Sequence, residues 1–440
     1  MKKILILIAG LFGVLSGIFA VQRDTLNVPL LNVSDTTVVH YEQNVLKFPA
    51  GHELFDELYQ GLTGLSNGKT ETLRVMHIGG SHVQAGAFSG RMRKNLSVFN
   101  DGRPVGRGLI FPYGMMGTNG PRDVSFSHEG SWSRTRCVEA NPTVPLGLAG
   151  AAITTADSMA TITLTMPIPV EQLTVLGHTT EDEALFPILI EGTDTLYPPM
   201  YSELIGYDFL LTEPSKTCRI GFAGKRGGKF SLRGFLCDAD GTGLVYSESG
   251  INGAAVPSWL KCEMFQDELT LLAPNLVIFA IGINDANISP TSFSPESFKQ
   301  NYRMLIDRIR QVNPRCAFIF VTNNDCYLNI GRRKSYNTNT QQVEQAFFDL
   351  AREYKGAVWN LFRVMGGFSS SSKWVQAGLM QKDHVHFTGA GYQMLGDLLY
   401  NAIVTDYRNL PVEQQIPEAV INRETQSFFD ESELELIIEN

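Results

Sequence analysis

Residues 73–96 constrain the fold more than any other stretch of this 440-residue chain. Leu73-Arg74-Val75-Met76-His77-Ile78 is a short, largely apolar run of strand character. Gly79-Gly80-Ser81-His82 is a turn, and beyond Val83 the side chains of Phe88, Met92 and Leu96 share one helical face. Strand, tight turn and helix in that order is how an α/β fold presents a residue above the carboxyl ends of its strands. The paired glycines leave Ser81 uncrowded, and a helix starting just after it offers unpaired N–H groups and a positive dipole end to an anion. The turn suits a nucleophile whose reaction generates an oxyanion. Nucleotide-binding and purely structural turns share the pattern, so the rest of the chain has to decide between them.

That rest has two textures. Residues 51–65 are helical in period, with Leu54, Leu58 and Leu62 on one face, and residues 100–120 are dense in glycine and proline, which reads as a long shaped loop beside the site. From about 125 to 245 the pattern is two-residue alternation, clearest in Ala160-Thr161-Ile162-Thr163-Leu164-Thr165-Met166, with further candidate strands at 173–176, 188–190, 219–222 and 229–236. Short strands without helical patterns between them predict a β-sandwich, here inserted into a first domain. The α/β texture then returns. Residues 276–281 are a continuous apolar run, as a buried parallel strand requires. Ser294-Pro295 starts a helix carrying Phe298, Tyr302, Leu305, Ile306 and Ile309. A strand at 317–321, a helix at 340–354, a strand at 357–361 and a last helix capped by Thr388, with Tyr392, Leu395, Leu399 and Ile403, complete a parallel sheet covered by helices on both faces.

The resulting plan is a signal peptide at 1–20, a leader across the surface at 21–50, and the first part of the α/β domain at 51–124. The inserted β-sandwich occupies 125–243, the second part of the α/β domain 244–409, and an acidic tail 410–440. The signal is read from Lys2-Lys3, the apolar run up to Ile18 and Phe19-Ala20. An uncleaved anchor is the rival, disfavoured by a short run interrupted at Gly10, Gly13, Ser16 and Gly17. The mature chain is therefore expected in the periplasm, secreted or at the cell surface, with no stable membrane span once the signal is cleaved. The six cysteines (Cys137, Cys218, Cys237, Cys262, Cys316, Cys326) show no Cys-x-x-Cys spacing, and both bridges and buried thiols stay open. A formal charge of −9 argues against nucleic acid and anionic membranes as partners.

Three further segments carry polar groups suited to Ser81. In Asp383-His384-Val385-His386 a carboxylate precedes an imidazole by three residues, so Asp383 can accept the Nδ1 proton of His386 and leave Nε2 facing the serine. A capped loop or a metal half-site would show the same spacing. Asn284, in Gly282-Ile283-Asn284-Asp285, follows the buried strand ending at Ile281 and can donate to developing negative charge, although a strand-end turn uses Asn and Asp just as well. Gly253, in Gly250-Ile251-Asn252-Gly253-Ala254, can bring its N–H to an oxyanion unobstructed; alone it is merely a turn.

In that order these segments resemble the four blocks of the SGNH (GDSL) hydrolases, in the variant where histidine follows the serine. The Gly-x-Ser-x-Gly elbow of the α/β-hydrolases is absent, since Val83 stands in place of its second glycine. The resemblance covers roughly 50–105 and 245–405. It implies a flavodoxin-like three-layer α/β fold, with Ser81 as nucleophile, Asp383 and His386 completing the triad, and Ser81 N–H, Gly253 N–H and the Asn284 side chain as oxyanion hole. No cofactor and no metal are implied. One departure stands out: the family's first block usually reads Gly-Asp-Ser, and Gly80 occupies the aspartate's place.

An exported SGNH domain interrupted between its first and second blocks by a β-sandwich is similar to bacterial peptidoglycan O-acetylesterases, whose insertion resembles a carbohydrate-binding module. That resemblance implies an esterase acting on O-acyl, especially O-acetyl, groups of an acetylated glycan, peptidoglycan or another polysaccharide. The rivals are an O-acetyltransferase, a lipid acylhydrolase and a non-catalytic glycan-binding surface protein. Phe111, Tyr113, Trp132 and Tyr246, near the junctions of the insertion, are candidates for stacking on sugar rings, with interface packing as the alternative.

Overall fold

The computed structural model describes residues 28–409 except 34–36, 70, 180–184, 199, 203–204, 225–227, 238–242 and 331–332. The expected signal peptide at 1–20 and acidic tail at 410–440 lie outside the described residues. Six strands form one sheet, numbered here in chain order: β1 (Leu46–Lys47), β2 (Thr72–Gly79), β3 (Gly243–Gly250), β4 (Leu276–Ala280), β5 (Ala317–Val321) and β6 (Ala357–Trp359), arranged β1-β6-β5-β4-β2-β3. All neighbours are parallel except β1, which runs antiparallel to β6.

Alternate residues of the central strands enter two separate cores. Leu73, Val75, Leu276 and Ile278 join buried side chains of the helices Glu53–Ser66, Ala87–Asn95 and Gly389–Arg408. Met76, Ile78, Val277 and Phe279 join those of Pro295–Val312 and Asn339–Tyr354. A strand buried on both faces has no polar side to show, which is why 276–281 reads as an unbroken apolar run. Ser294 caps its helix by accepting from Ser297 N–H at 3.2 Å, and Thr388 caps the last helix by accepting from Gly391 N–H at 3.2 Å.

The segment expected to lie across the surface contributes more than a covering. Val28, Val33, Val38 and Val39 are buried in the core that takes Leu73 and Val75, and Leu46–Lys47 is an edge strand of the sheet. A two-residue strand carries too little periodicity to be read from sequence; its pairing with Val358 and Trp359 defines it.

Between Gly108 and Cys237 the chain forms a single hydrogen-bonded network of ten strands, all pairs antiparallel, with no helix longer than a 3-10 turn among the described residues. The candidate strands at 160–166 and 173–176 are parts of one long strand, Thr161–Thr179, with Ile162, Leu164 and Met166 buried. Its pairing with Gly206–Ala223 shifts register between Val170 and Thr165, where Pro167 and Pro169 supply no N–H to the ladder. The glycine-rich loop at 100–120 is not wholly loop. Gly108–Ile110 pairs with Phe235–Cys237, so the β-rich region begins upstream of 125. All six cysteines are free and buried.

Candidate active site

Register alone brings three of the expected residues together. Gly79 on β2 lies opposite Gly250 on β3 and Ala280 on β4, and Ser81, Gly253 and Asn284 follow those positions by two, three and four residues. The chain leaves β2 for β3 on one side and reaches β4 on the other, so the three segments open onto the crevice at a switch point of strand order, where α/β sheets bind ligands. At Gly79 the packing is tight: a Cβ would stand 2.3 Å from Val83 Cγ2, so the turn admits only glycine.

Ser81 begins a one-turn helix, Ser81–Gln84, and its N–H therefore has no partner within that helix. Gly86, at φ +70°, separates this turn from the helix Ala87–Asn95, which breaks the single helix expected from 83 to 96. Ser81 Oγ lies 2.9 Å from His386 Nε2, and His386 Nδ1 lies 2.7 Å from Asp383 Oδ2. Asp383 Oδ1 also accepts from the backbone N–H groups of Val385 (2.9 Å) and His386 (3.0 Å). Partial burial opposes ionisation, but these hydrogen bonds and the imidazole hold the carboxyl below its ordinary range. Asp383 is thus an acceptor throughout the neutral range, which fixes Nδ1 of His386 as donor and turns Nε2 to the serine. The loop is closed by the Met380–Phe387 bridge and by Gln381 N–H to His386 O at 2.7 Å.

Asn284 Nδ2 donates to Ala254 O at 2.8 Å, which orients the amide and leaves its second hydrogen for a ligand. Gly253 has φ +83° and open space where a Cβ would be; its N–H has no partner among the described residues. Ser81, Gly253, Asn284, Asp383 and His386 all line one open groove of about 1380 Å³. All five positions expected from the sequence therefore converge there. Gly80 sits beneath them, and a Cβ on it would lie 3.3 Å from Asn284 Nδ2.

Three polar groups around the site were given no role by the sequence. His82 accepts at Nδ1 from Tyr392 OH (2.7 Å) and donates from Nε2 to Asn324 Oδ1 (3.1 Å). Its burial, with the neighbouring His386 ring, pushes its pKa down to about 4, so it stays neutral and braces His386 at a ring-centroid distance of 5.8 Å. Asn324 passes the restraint on to Val385 O at 3.3 Å. Gln84 is buried on the other flank. It accepts from Asn252 N–H at 2.6 Å and donates to Asn119 O at 2.6 Å, tying the serine's helix to the Gly253 turn and to the 118–119 loop. The four aromatic stacking candidates are not in the groove. Phe111, Tyr113 and Tyr246 are buried, and Trp132 packs on Phe222 at 5.7 Å; from 125 onward the β-rich region reaches the groove instead through Pro167 and Ile168.

Among the described residues no helix is long and apolar enough to cross a membrane, and no cluster of His, Cys, Asp and Glu could hold a metal.

Residues 224–394 match the GDSL-like lipase/acylhydrolase family. Ser81 lies outside the matched segment, and the parallel pairing of β2 with β3 and β4 is what joins it to the rest. No curated protein matches the sequence. Among solved structures, a peptidoglycan O-acetylesterase covers 83% of this chain and 99% of its own at a TM-score of 0.66 and 20% identity, a likeness that shows the fold. An acetyl xylan esterase, AlAXEase, covers 36% of this chain and 80% of its own at TM-score 0.29 and 16% identity. A carbohydrate esterase family 2 enzyme with a carbohydrate-binding domain, from Corynascus thermopiles, covers 62% of this chain and 99% of its own at 0.27 and 10%.

Proposed function

We propose that this chain, whose residues 224–394 match the GDSL-like lipase/acylhydrolase family, is an SGNH esterase that removes O-acyl groups, O-acetyl foremost, from a glycan of the cell envelope or another polysaccharide. The observation that carries the reading is the continuous relay of Ser81 Oγ, His386 and Asp383 at 2.9 and 2.7 Å. Ser81 Oγ attacks the ester carbonyl while His386 Nε2 takes its proton. The oxyanion is met by Ser81 N–H, Gly253 N–H and Asn284 Nδ2, and His386 returns the proton to the departing sugar oxygen. Water, activated by the same imidazole, then releases the acid from the acyl-serine.

The finer architecture belongs to the same reading: a flavodoxin-like three-layer domain, carrying a β-sandwich between its first and second blocks that serves as a carbohydrate-binding surface. The N-terminal sequence supports export, with action in the periplasm, outside the cell or at its surface. The likeness to a peptidoglycan O-acetylesterase supports an acetylated glycan as substrate.

The test is hydrolysis of p-nitrophenyl acetate and release of acetate from O-acetylated glycans. Ser81→Ala is expected to reduce turnover to background and Asp383→Asn to lower kcat by about 10⁴, as loss of the orienting carboxylate does in serine hydrolases. Turnover undiminished in Ser81→Ala refutes the proposal.

A further inference from the structure

The groove is far larger than an acetyl group needs, and its charges are unevenly spent. Ala87, Gly90, Arg91 and Lys94 line it at the spacing of one helical face, so it follows the helix Ala87–Asn95 for ~10 Å beyond the turn that carries Ser81. At 1380 Å³ it exceeds the ~300–1,000 Å³ of ordinary small-molecule sites, which suits a segment of polymer.

Five cations line it. Arg91 is held by both oxygens of Asp397, at 2.6 and 2.9 Å. Arg93 and Arg107 are neutralised by Asp123 and by the buried Glu248. Lys94 and Arg122 are different. Both are exposed to the groove, and neither side chain has an ion pair or hydrogen bond among the described residues. Arg122 directly precedes Asp123, whose carboxylate reaches Arg93, the residue before Lys94, so the backbone at 122 is tied to that turn of the helix while both free cations line the same groove. In a chain of net charge −9, two unpaired cations lining the groove add local positive charge to it.

We infer that Lys94 and Arg122 form an anion-binding subsite, and that the glycan in the groove is a carboxylate-bearing one. A carboxylate one or more sugar rings from the scissile ester would meet these side chains while the acyl group sits at Ser81. This deepens the esterase proposal and rests on it for the position of the scissile ester. It assigns a substrate class, acetylated acidic glycans over neutral ones, to the surface rather than to the triad.

The test measures wild-type turnover of p-nitrophenyl acetate in the presence of unacetylated polygalacturonate or of a neutral glucan. Polygalacturonate is expected to inhibit competitively at several-fold to ~10-fold lower concentration, as two exposed ion pairs allow. The advantage should vanish near ~1 M salt, where the screening length is ~3 Å. Binding is then measured by calorimetry on Ser81→Ala, with and without Lys94→Gln and Arg122→Gln; the double substitution is expected to remove the preference for polygalacturonate. Equal binding of the two glycans, or a preference that survives the double substitution, overturns the subsite. Because calorimetry needs no turnover, that failure is distinct from failure of the esterase proposal, which would show as p-nitrophenyl acetate hydrolysis independent of Ser81.

Discussion

Gln84 is the side chain through which the nucleophile's helix and the Gly253 turn hold each other, and replacing it with methionine isolates that function. Methionine keeps the length and roughly the volume of a side chain that is 2% exposed, but supplies neither donor nor acceptor. The Asn252 N–H, now 2.6 Å from Gln84 Oε1, and the Asn119 carbonyl, 2.6 Å from Nε2, both lose their partners. An orphaned buried group costs about 1–3 kcal/mol; since groove water reaches the 118–119 loop, the expected loss of stability is ~2–3 kcal/mol. The catalytic effect is separate. Asn252 N–H lies one peptide before the Gly253 donor, so its release lets that donor drift. Complete loss of an oxyanion donor costs about 10²–10³ in kcat, and a misplacement of ~1 Å about 10². Gln84→Met is therefore expected to lower kcat ~10- to 100-fold on p-nitrophenyl acetate with KM nearly unchanged, because the lost alignment matters only in the transition state. Steady-state kinetics below the melting transition provide the assay. A folded variant with reduced stability and kcat within about twofold of wild type would refute this, leaving Gln84 a purely structural residue.

Two further outcomes follow from the same geometry. His77 on β2 is fully buried against Tyr246 OH (2.8 Å), and burial lowers its pKa to about 3. The folded state resists a proton that the unfolded state takes up below its ordinary 6.5, so stability present above that pH is lost as pH falls from 6.5 toward 3. The loss amounts to roughly 5 kcal/mol at 1.36 kcal/mol per unit. Urea denaturation across that window should show a clearly shallower pH dependence in His77→Gln, and identical slopes would refute the assignment. Gly80→Ala places a methyl 3.3 Å from Asn284 Nδ2, so the amide must give by a few tenths of an ångström; kcat should fall several-fold to ~10-fold with little change in melting temperature, and an unchanged kcat would show that this contact does not place the amide.

The body of the fold was legible because its elements carry strong periodic signals. The faces of Leu54, Leu58 and Leu62 and of Phe298, Tyr302 and Ile306, the apolar run at 276–281, and the caps at Ser294 and Thr388 each combine burial with a local chemical marker. What escaped was defined by partners distant in sequence. Leu46–Lys47 is a strand only because β6 is beside it, and Gly108–Ile110 only because Phe235–Cys237 is. At the site, Ser81, Gly253, Asn284, Asp383 and His386 could be read because each lies in a short motif whose residue types match a role. His82, Gln84 and Asn324 could not. They meet partners across 34 to 310 positions of chain, and a neighbouring motif does not say which distant group each side chain reaches. The aromatic candidates failed for the converse reason. Proximity to a junction in sequence says nothing of which way a ring points, and Phe111, Tyr113 and Tyr246 point into the core.

The long β-rich excursion explains how the family match can stop short of the nucleophile while the site stays whole. The chain makes its ten-stranded network between Ser81 and Gly253, yet loop length bears only logarithmically on the entropy of bringing two ends together, by ~0.6 kcal/mol for each doubling. What places Gly253 beside Ser81 is β3, which pairs with β2 in parallel over eight positions, Thr72 opposite Gly243 to Gly79 opposite Gly250. A slip of one residue there would exchange the side chains that the strand presents to the two cores, so the register that sets Gly253 beside Ser81 is enforced by the two hydrophobic cores rather than by the site itself. The excursion is then free to evolve as a surface. One of its contacts with the groove, Pro167 and Ile168, falls where prolines interrupt its longest strand and where ladder bonds constrain the backbone least. A change of sequence at 167–168 can therefore reshape the groove beside Ser81 without disturbing the strands that hold the Ser81 and Gly253 turns together.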